Sequence, residues 1–186
     1  SRKNAFYHYQ DRLQQSRKQM PQSERNRQFL EQVRKDLDMN ELPHHIEGFD
    51  NSNIQGTQPV SAMVCFRDGQ PSKKEYRHYN IKTVEGPDDY SSMTEVVYRR
   101  YRRLLDEEQP LPQLVVIDGG KGQLHAAYKS LQDLGIDDQV AIIGIAKRLE
   151  EIYKPDDPYP LAIDKKSETN KLIQRIRDEA HRFGVT

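Results

Sequence analysis

Two aspartates in this chain stand where a carboxylate could meet a metal ion. Asp118 closes the apolar run Leu114-Val115-Val116-Ile117 and is followed at once by Gly119-Gly120-Lys121-Gly122-Gln123. That is how a buried parallel strand delivers an acid to the edge of a sheet. Asp50 ends Ile46-Glu47-Gly48-Phe49 in the same way and leads into the polar, turn-prone Asn51-Ser52-Asn53 and then Gly56. Two carboxylates brought side by side repel each other and raise one another's proton affinity unless a cation lies between them. Such a pair favours a hard divalent ion bound through oxygen, Mg²⁺ or Mn²⁺. Taken singly, each acid also has a plainer explanation, because aspartates at strand ends start turns and cap helices.

Other residues could assist the same chemistry. His181 falls on the polar face of a C-terminal helical pattern, shared with Gln174, Arg177 and Asp178, while Leu172, Ile173, Ile176, Ala180 and Phe183 form the apolar stripe. It is therefore not a core histidine; it is either a solvated helix residue or a group placed for metal ligation or proton transfer near neutral pH. Asp88 and Asp89 precede a helix, so one of them is expected to cap it and the other is free to support the metal site. Arg99, Arg100, Arg102 and Arg103 fall together on one helix, either as a solvated face balanced by Asp106, Glu107 and Glu108 or as a phosphate track. Lys121 is a further candidate for phosphate contact. Its glycine neighbours match neither a Walker A loop nor the dinucleotide fingerprint, and are better read as permitting close chain approach around Asp118. Gln123 and Asn53 lie close in sequence to the two acids and could orient them.

These groups need elements to hold them. Short strand-like runs cover 45–50, 60–67 and 74–81, with Asp68-Gly69 as a turn between the second and third, and predict an antiparallel meander. After the turn Gly86-Pro87-Asp88-Asp89, Met93, Val96, Val97, Tyr101, Leu104 and Leu105 recur at helical spacing over 91–108, before Pro110. Strand 114–118, helix 121–134 and strand 140–145 then require a parallel pair with a right-handed crossover. A loop with three prolines over 153–164 could hold a short strand at 161–163, and Ser167 caps a last helix to about Phe183. Upstream, helices interrupted near Pro21 carry an apolar stripe of Phe29, Leu30, Val33 and Leu37 that could dock on the body. The first strand can lie beside the strand at 114–118 and run the same way, which sets Asp50 next to Asp118.

Composition narrows the class. The 186 residues suit one domain, here 43–186, with a polar helical extension or connector over 1–42. With 34% hydrophobic and 31% charged residues, a thin core and long exposed helices are expected. No apolar run approaches the roughly 20 residues of a spanning helix, so no membrane role is expected. Cys65 is the only cysteine, which excludes an internal disulfide and fits a reducing cytoplasm. The 29 basic and 29 acidic residues cancel, which is unusual for a protein that must hold nucleic acid unaided.

Ile46 to Asn53, Gly86-Pro87-Asp88-Asp89-Tyr90, Tyr98-Arg99-Arg100-Tyr101, Leu114 to Gln123, Gly144-Ile145-Ala146-Lys147 and Leu172 to Phe183 together resemble the C-terminal nuclease half of the UvrC family, the incision subunit of bacterial nucleotide excision repair. The resemblance runs from about residue 43 to the end, and Lys3-Asn4-Ala5 is similar to the connector before that domain. It implies an RNase H-like α/β fold, in which a mixed sheet is flanked by helices, and a metal-dependent site of two aspartates and a histidine. It further implies a cut in the damaged strand on the 5′ side of a lesion. Carried over by motif, the metal and catalytic residues are Asp50, Asp118 and His181, with Asp89 as a supporting acid. The implied partners are damaged double-stranded DNA and a UvrB-type repair protein. The chain departs from the family at Gly48, where cysteine is frequent, and in the variable Asn51-Ser52-Asn53. The helix-hairpin-helix region, the N-terminal nuclease and the UvrB-contacting segment of the family are not represented, so an excised domain is expected.

The expected chemistry is hydrolysis of one phosphodiester bond by in-line attack of a metal-activated water. Asp50 and Asp118 would hold the ion, His181 would bind a second ion or orient the water, and Arg99, Arg102, Arg103 and Lys121 would touch phosphates. Two rivals are a binding module that keeps the fold without the chemistry, and a related nuclease such as a resolvase or a deaminated-base endonuclease.

Overall fold

In the computed structural model, residues 2–52, 59–82 and 88–186 are described, with the backbone alone for 16–19 and 52. Among the described residues the elements run in the order α1 (Arg2–Gln19), α2 (Gln22–Asp36), β1 (His45–Ser52), β2 (Val60–Arg67), β3 (Gln70–Pro71), a 3₁₀ turn (Lys73–Glu75), β4 (Arg77–Asn80), α3 (Asp89–Asp106), β5 (Leu114–Asp118), α4 (Lys121–Asp133), β6 (Ala141–Ile145), β7 (Ile152–Tyr153) and α5 (Glu168–Gly184). Among the described residues the strands form one mixed sheet ordered β3-β2-β1-β5-β6-β7, with β4 also on β2.

The meander and the crossovers meet as the hydrophobic pattern requires. β1 pairs antiparallel with β2, and on its other edge pairs parallel with β5, Ile46 opposite Leu114 through Phe49 opposite Ile117. β5 in turn runs parallel to β6. All five β5 residues are buried, which explains an apolar run without alternation: helices cover both faces.

Strand parity sorts side chains between two cores. Ile46, Val64, Phe66, Leu114 and Val116 pack with Leu172, Ile173, Ile176 and Ala180 of α5 and with Val33 and Leu37 from the α2 segment. Phe49, Met63, Val115 and Ile117 pack instead with Met93, Val96, Val97 and Tyr101 of α3 and Leu124 and Leu131 of α4. Asp50 and Asp118 share the parity of Ile46 and Leu114, so both belong to the α5 side.

Of the extension expected over 1–42, residues 2–15 are exposed, whereas α2 buries Leu30, and packs buried Val33 and half-buried Phe29 against the α5 core. Two details differ from expectation. The run 161–163 forms no strand: Pro160 precedes it without an amide to donate, and Ile163 N folds back onto Leu161 O (3.0 Å) while Leu161 N reaches Ile152 O (2.8 Å). The short strand lies at β7, antiparallel to β6. The expected strand 74–81 is shortened to β4 because its start forms the 3₁₀ turn. Gly56, Asn53 and the Gly86-Pro87 half of the predicted turn lie outside the described residues.

Candidate active site

Register brings the two acids together. Phe49 lies opposite Ile117 in the parallel β1/β5 pair, and one residue further along the same direction come Asp50 and Asp118. Both side chains are nearly withdrawn from solvent, at 4% and 5% exposure. α5 supplies the third group. Ser167 caps it by accepting from Asn170 N (3.1 Å), and its apolar stripe settles on the sheet. With Ile176 packed beside Gly48, His181 arrives a little over one turn later, where Nδ1 lies 3.3 Å from Asp50 Oδ2. Its ring remains largely in solvent, 71% exposed.

Burial and the closeness of a second acid dominate the electrostatics of the pair. Burial pushes the Asp118 carboxyl up to about 7, and the neighbouring Asp50 charge adds to this against the opposing pull of Lys147 and Arg177. Burial also raises Asp50, but less, because the hydrogen bond and charge of His181 oppose it. Asp118 Oδ1 and Gln123 Oε1 are buried with no hydrogen-bond partner. Gly119, at φ 158°, lets the Gln123 side chain lie where a Cβ would otherwise stand. Two carboxylates, an amide oxygen lacking a donor and an imidazole make a donor set that suits a hard divalent cation.

The neighbouring acids divide their work. Asp88 accepts from Ser91 N (3.1 Å) and Ser91 Oγ (2.8 Å), so it caps α3. Asp89 is thereby released from capping, and its carbonyl accepts from Asn51 Nδ2 (2.9 Å), which ties the start of α3 to the end of β1. The expected phosphate contacts lie elsewhere. Arg99 donates to Asn80 O (2.7 Å) and pairs with Glu95, Arg102 pairs with Asp106 and Arg103 with Glu107. At 1.5 Å per residue they sit roughly 15–20 Å along α3 from Asp89. Lys121 donates to Pro158 O (2.7 Å) and covers the Tyr153 ring.

A second cluster of ligand-type groups proves structural. His45, Glu47 and Cys65 bring their ligand atoms within 4.8 Å of one another, but Glu47 is already bound by Arg100 (3.1 and 2.7 Å) and Tyr101 (2.9 Å). The Cys65 thiol, pushed up to about 12 first by burial and then by the Glu47 charge, stays protonated. A guanidinium already supplies the cation there. Glu47 does not stand out in the sequence as part of such a network, since it takes its meaning from Arg100, a partner distant in the chain.

Comparison with known proteins identifies the family. Residues 34–185 match the UvrC RNase H endonuclease domain. The chain is 61% identical over 184 residues to UvrABC system protein C of Flavobacterium johnsoniae, covering 99% of this chain and 31% of that protein. The namesake of Cytophaga hutchinsonii is 56% identical over 186 residues (100% and 30%), and that of Porphyromonas gingivalis 54% over 185 (100% and 31%). The chain thus spans a little under a third of the length of these relatives. It belongs to the UvrC RNase H endonuclease domain family.

Proposed function

We propose that this domain is a divalent-metal-dependent endodeoxyribonuclease that makes the 5′ incision beside a lesion in nucleotide excision repair, acting on damaged duplex DNA in the cytoplasm with a UvrB-type partner. The observation that carries this reading is the pair of buried carboxylates at adjacent strand ends, with an orphaned oxygen on Asp118 and an imidazole at Asp50. Asp50 and Asp118 would hold Mg²⁺ or Mn²⁺, with His181 as a further ligand or as the group that orients water, and Asp89 as a supporting acid. When bound, the ion supplies Lewis acidity and lowers the pKa of its water.

The residues themselves define what must happen around it. Asp118 has to give up its proton before it can serve as a ligand, and its position on a strand buried on both faces keeps its direction fixed. Asp50 is oriented by His181 Nδ1, and the exposed imidazole can exchange a proton with solvent. Arg102 and Arg103 are paired only with neighbours one turn along an exposed helix. Such pairs are weak enough for phosphates to replace. Arg99 and Lys121 would contact phosphate while still anchored to carbonyls.

The test is incision of a lesion-bearing duplex by the assembled repair complex carrying Asp118→Asn. Cutting on the 5′ side should fall on the order of 10³-fold or more with the fold intact. Cutting at the wild-type rate would refute the assignment.

A further inference from the structure

His181 stands on the last turn of α5, which ends at Gly184. The final carbonyls of a helix find no partner within it, and its end is the first part to fray. That is a poor place for a group whose position matters to chemistry. On a helix about 10–12 Å across, a roll of roughly 10° carries a side-chain tip by about 1 Å. A misplacement of ~1 Å can slow a reaction about 10²-fold. Asp50 is a slight anchor for the turn, since the His181 ring meets it at 3.3 Å and lies otherwise in solvent.

The β4 side of the sheet grips the same turn. Asp50 lies opposite Ala62 in the β1/β2 pair, and Ala62 lies opposite His78 in the β2/β4 pair. The three form one row across the sheet, and directly opposed residues share a face, so His78 stands on the α5 side two strand spacings, about 10 Å, from Asp50. Its Nε2 donates to Phe183 O (2.7 Å), and must carry a proton because a carbonyl only accepts. Thr186 Oγ1 also donates to that carbonyl (2.7 Å), but the His78 bond is the one that ties it to the sheet. The His78 ring stacks on the Phe183 ring, with centroids 3.9 Å apart and planes 14° from parallel. Tyr76, two residues before, donates from its hydroxyl to Glu179 Oε2 (2.7 Å) and meets Phe183 edge-on, with centroids 5.1 Å apart. Arg182 closes on the same Glu179 carboxylate (2.8 and 3.0 Å). Glu179 and Phe183 are one turn apart and share a flank of α5, whereas His181 falls on the other. The terminal turn is thus held from two sides, by Tyr76 and His78 on the β4 flank and by Asp50 on the β1 flank.

We propose that His78, supported by Tyr76, is a positioning residue for His181 in the metal-nuclease reading, on which this inference rests. The pair stops the end of α5 from rolling, so the imidazole stays at Asp50. Neither residue touches the reacting atoms; the effect passes through His181. His78 is exposed, so its substitution leaves the two cores intact.

The experiment compares His78→Ala, His78→Phe and His181→Ala in single-turnover incision by the assembled complex at saturating DNA, and reads the order parameters of the His181 ring by NMR relaxation of this chain. His78→Ala should cut roughly 10-fold more slowly at unchanged DNA affinity. Order should fall at the His181 ring but not at the Leu172 and Ile173 methyls of the buried stripe. His78→Phe, which keeps the stack and loses the donor, should lie between wild type and His78→Ala on both readouts. Wild-type cutting by His78→Ala, slower cutting with His181 order unchanged, or loss of order along the whole of α5 would overturn the proposal. If His181→Ala cuts normally, the underlying reading of His181 fails and this inference with it; if it is inactive while His78→Ala is fully active, only the role of His78 fails.

Discussion

β1 carries two buried carboxylates three residues apart, and they live under opposite conditions. Glu47 faces α3 and is met by His45, a two-pronged Arg100 and Tyr101. Burial alone would raise its proton affinity, but the hydrogen bonds from His45 and Arg100 prevail and hold it below the usual carboxylate range. Asp50 faces α5 beside Asp118, with one imidazole edge between them and solvent, and both acids are raised. The same strand therefore carries one carboxylate held ionised by protein groups and another raised beside a second acid. Buried carboxylates as such do not mark a functional site; a raised pair of them is a candidate for one.

The comparison breaks most visibly at Glu47. Replacing it with Gln should leave the Arg100 guanidinium without its counter-charge and destabilise the fold by about 3–5 kcal/mol, read by chemical denaturation. The folded fraction should still bind Mn²⁺ as wild type does. A stability change below about 1 kcal/mol would mean the network is not the completed charge described above.

The metal side is sharpened by pH. Because Asp118 is raised to about 7, metal must displace its proton below that value. Mn²⁺ affinity should climb about tenfold per pH unit from 5 to 7 and flatten above, in calorimetric titrations. A flat profile across that range would show that the pair is ionised throughout.

A smaller effect separates the two faces. Gly48, between Glu47 and Asp50, has Ile176 so close that an added Cβ would meet its Cγ2 at 2.5 Å. Gly48→Cys should cost ~1 kcal/mol as Ile176 shifts, and should reduce Mn²⁺ affinity slightly through the displacement of α5 and His181. A variant as stable as wild type would indicate that α5 adapts without strain.

Much of this arrangement was legible beforehand because it follows local rules. The run 114–118 reads as a buried strand, and although its closing Asp-Gly-Gly could equally start a turn, a meander followed by crossovers can place Asp50 beside Asp118 by strand order. The wheel of α5 separates His181 from the core without any knowledge of what it faces. Long-range pairings escaped. Glu47 and Arg100 are 53 residues apart and look like ordinary surface charges until β1 is covered on both sides. β7 pairs with the free edge of β6 although Ile152-Tyr153 does not stand out as a strand in the sequence.

The central claim is most directly tested by denaturing wild type and Asp118→Asn at pH 8, each with and without Mn²⁺. A raised carboxyl contributes stability below its unfolded pKa and loses it as pH rises through about 7, so at pH 8 the metal-free wild type carries an uncompensated charge. Asp118→Asn should then be more stable than metal-free wild type by roughly 1–3 kcal/mol and gain little from Mn²⁺, while wild type gains strongly. If Asp118→Asn is instead the less stable protein, or is stabilised by Mn²⁺ as much as wild type, the carboxylate pair is structural like Glu47 and the account fails.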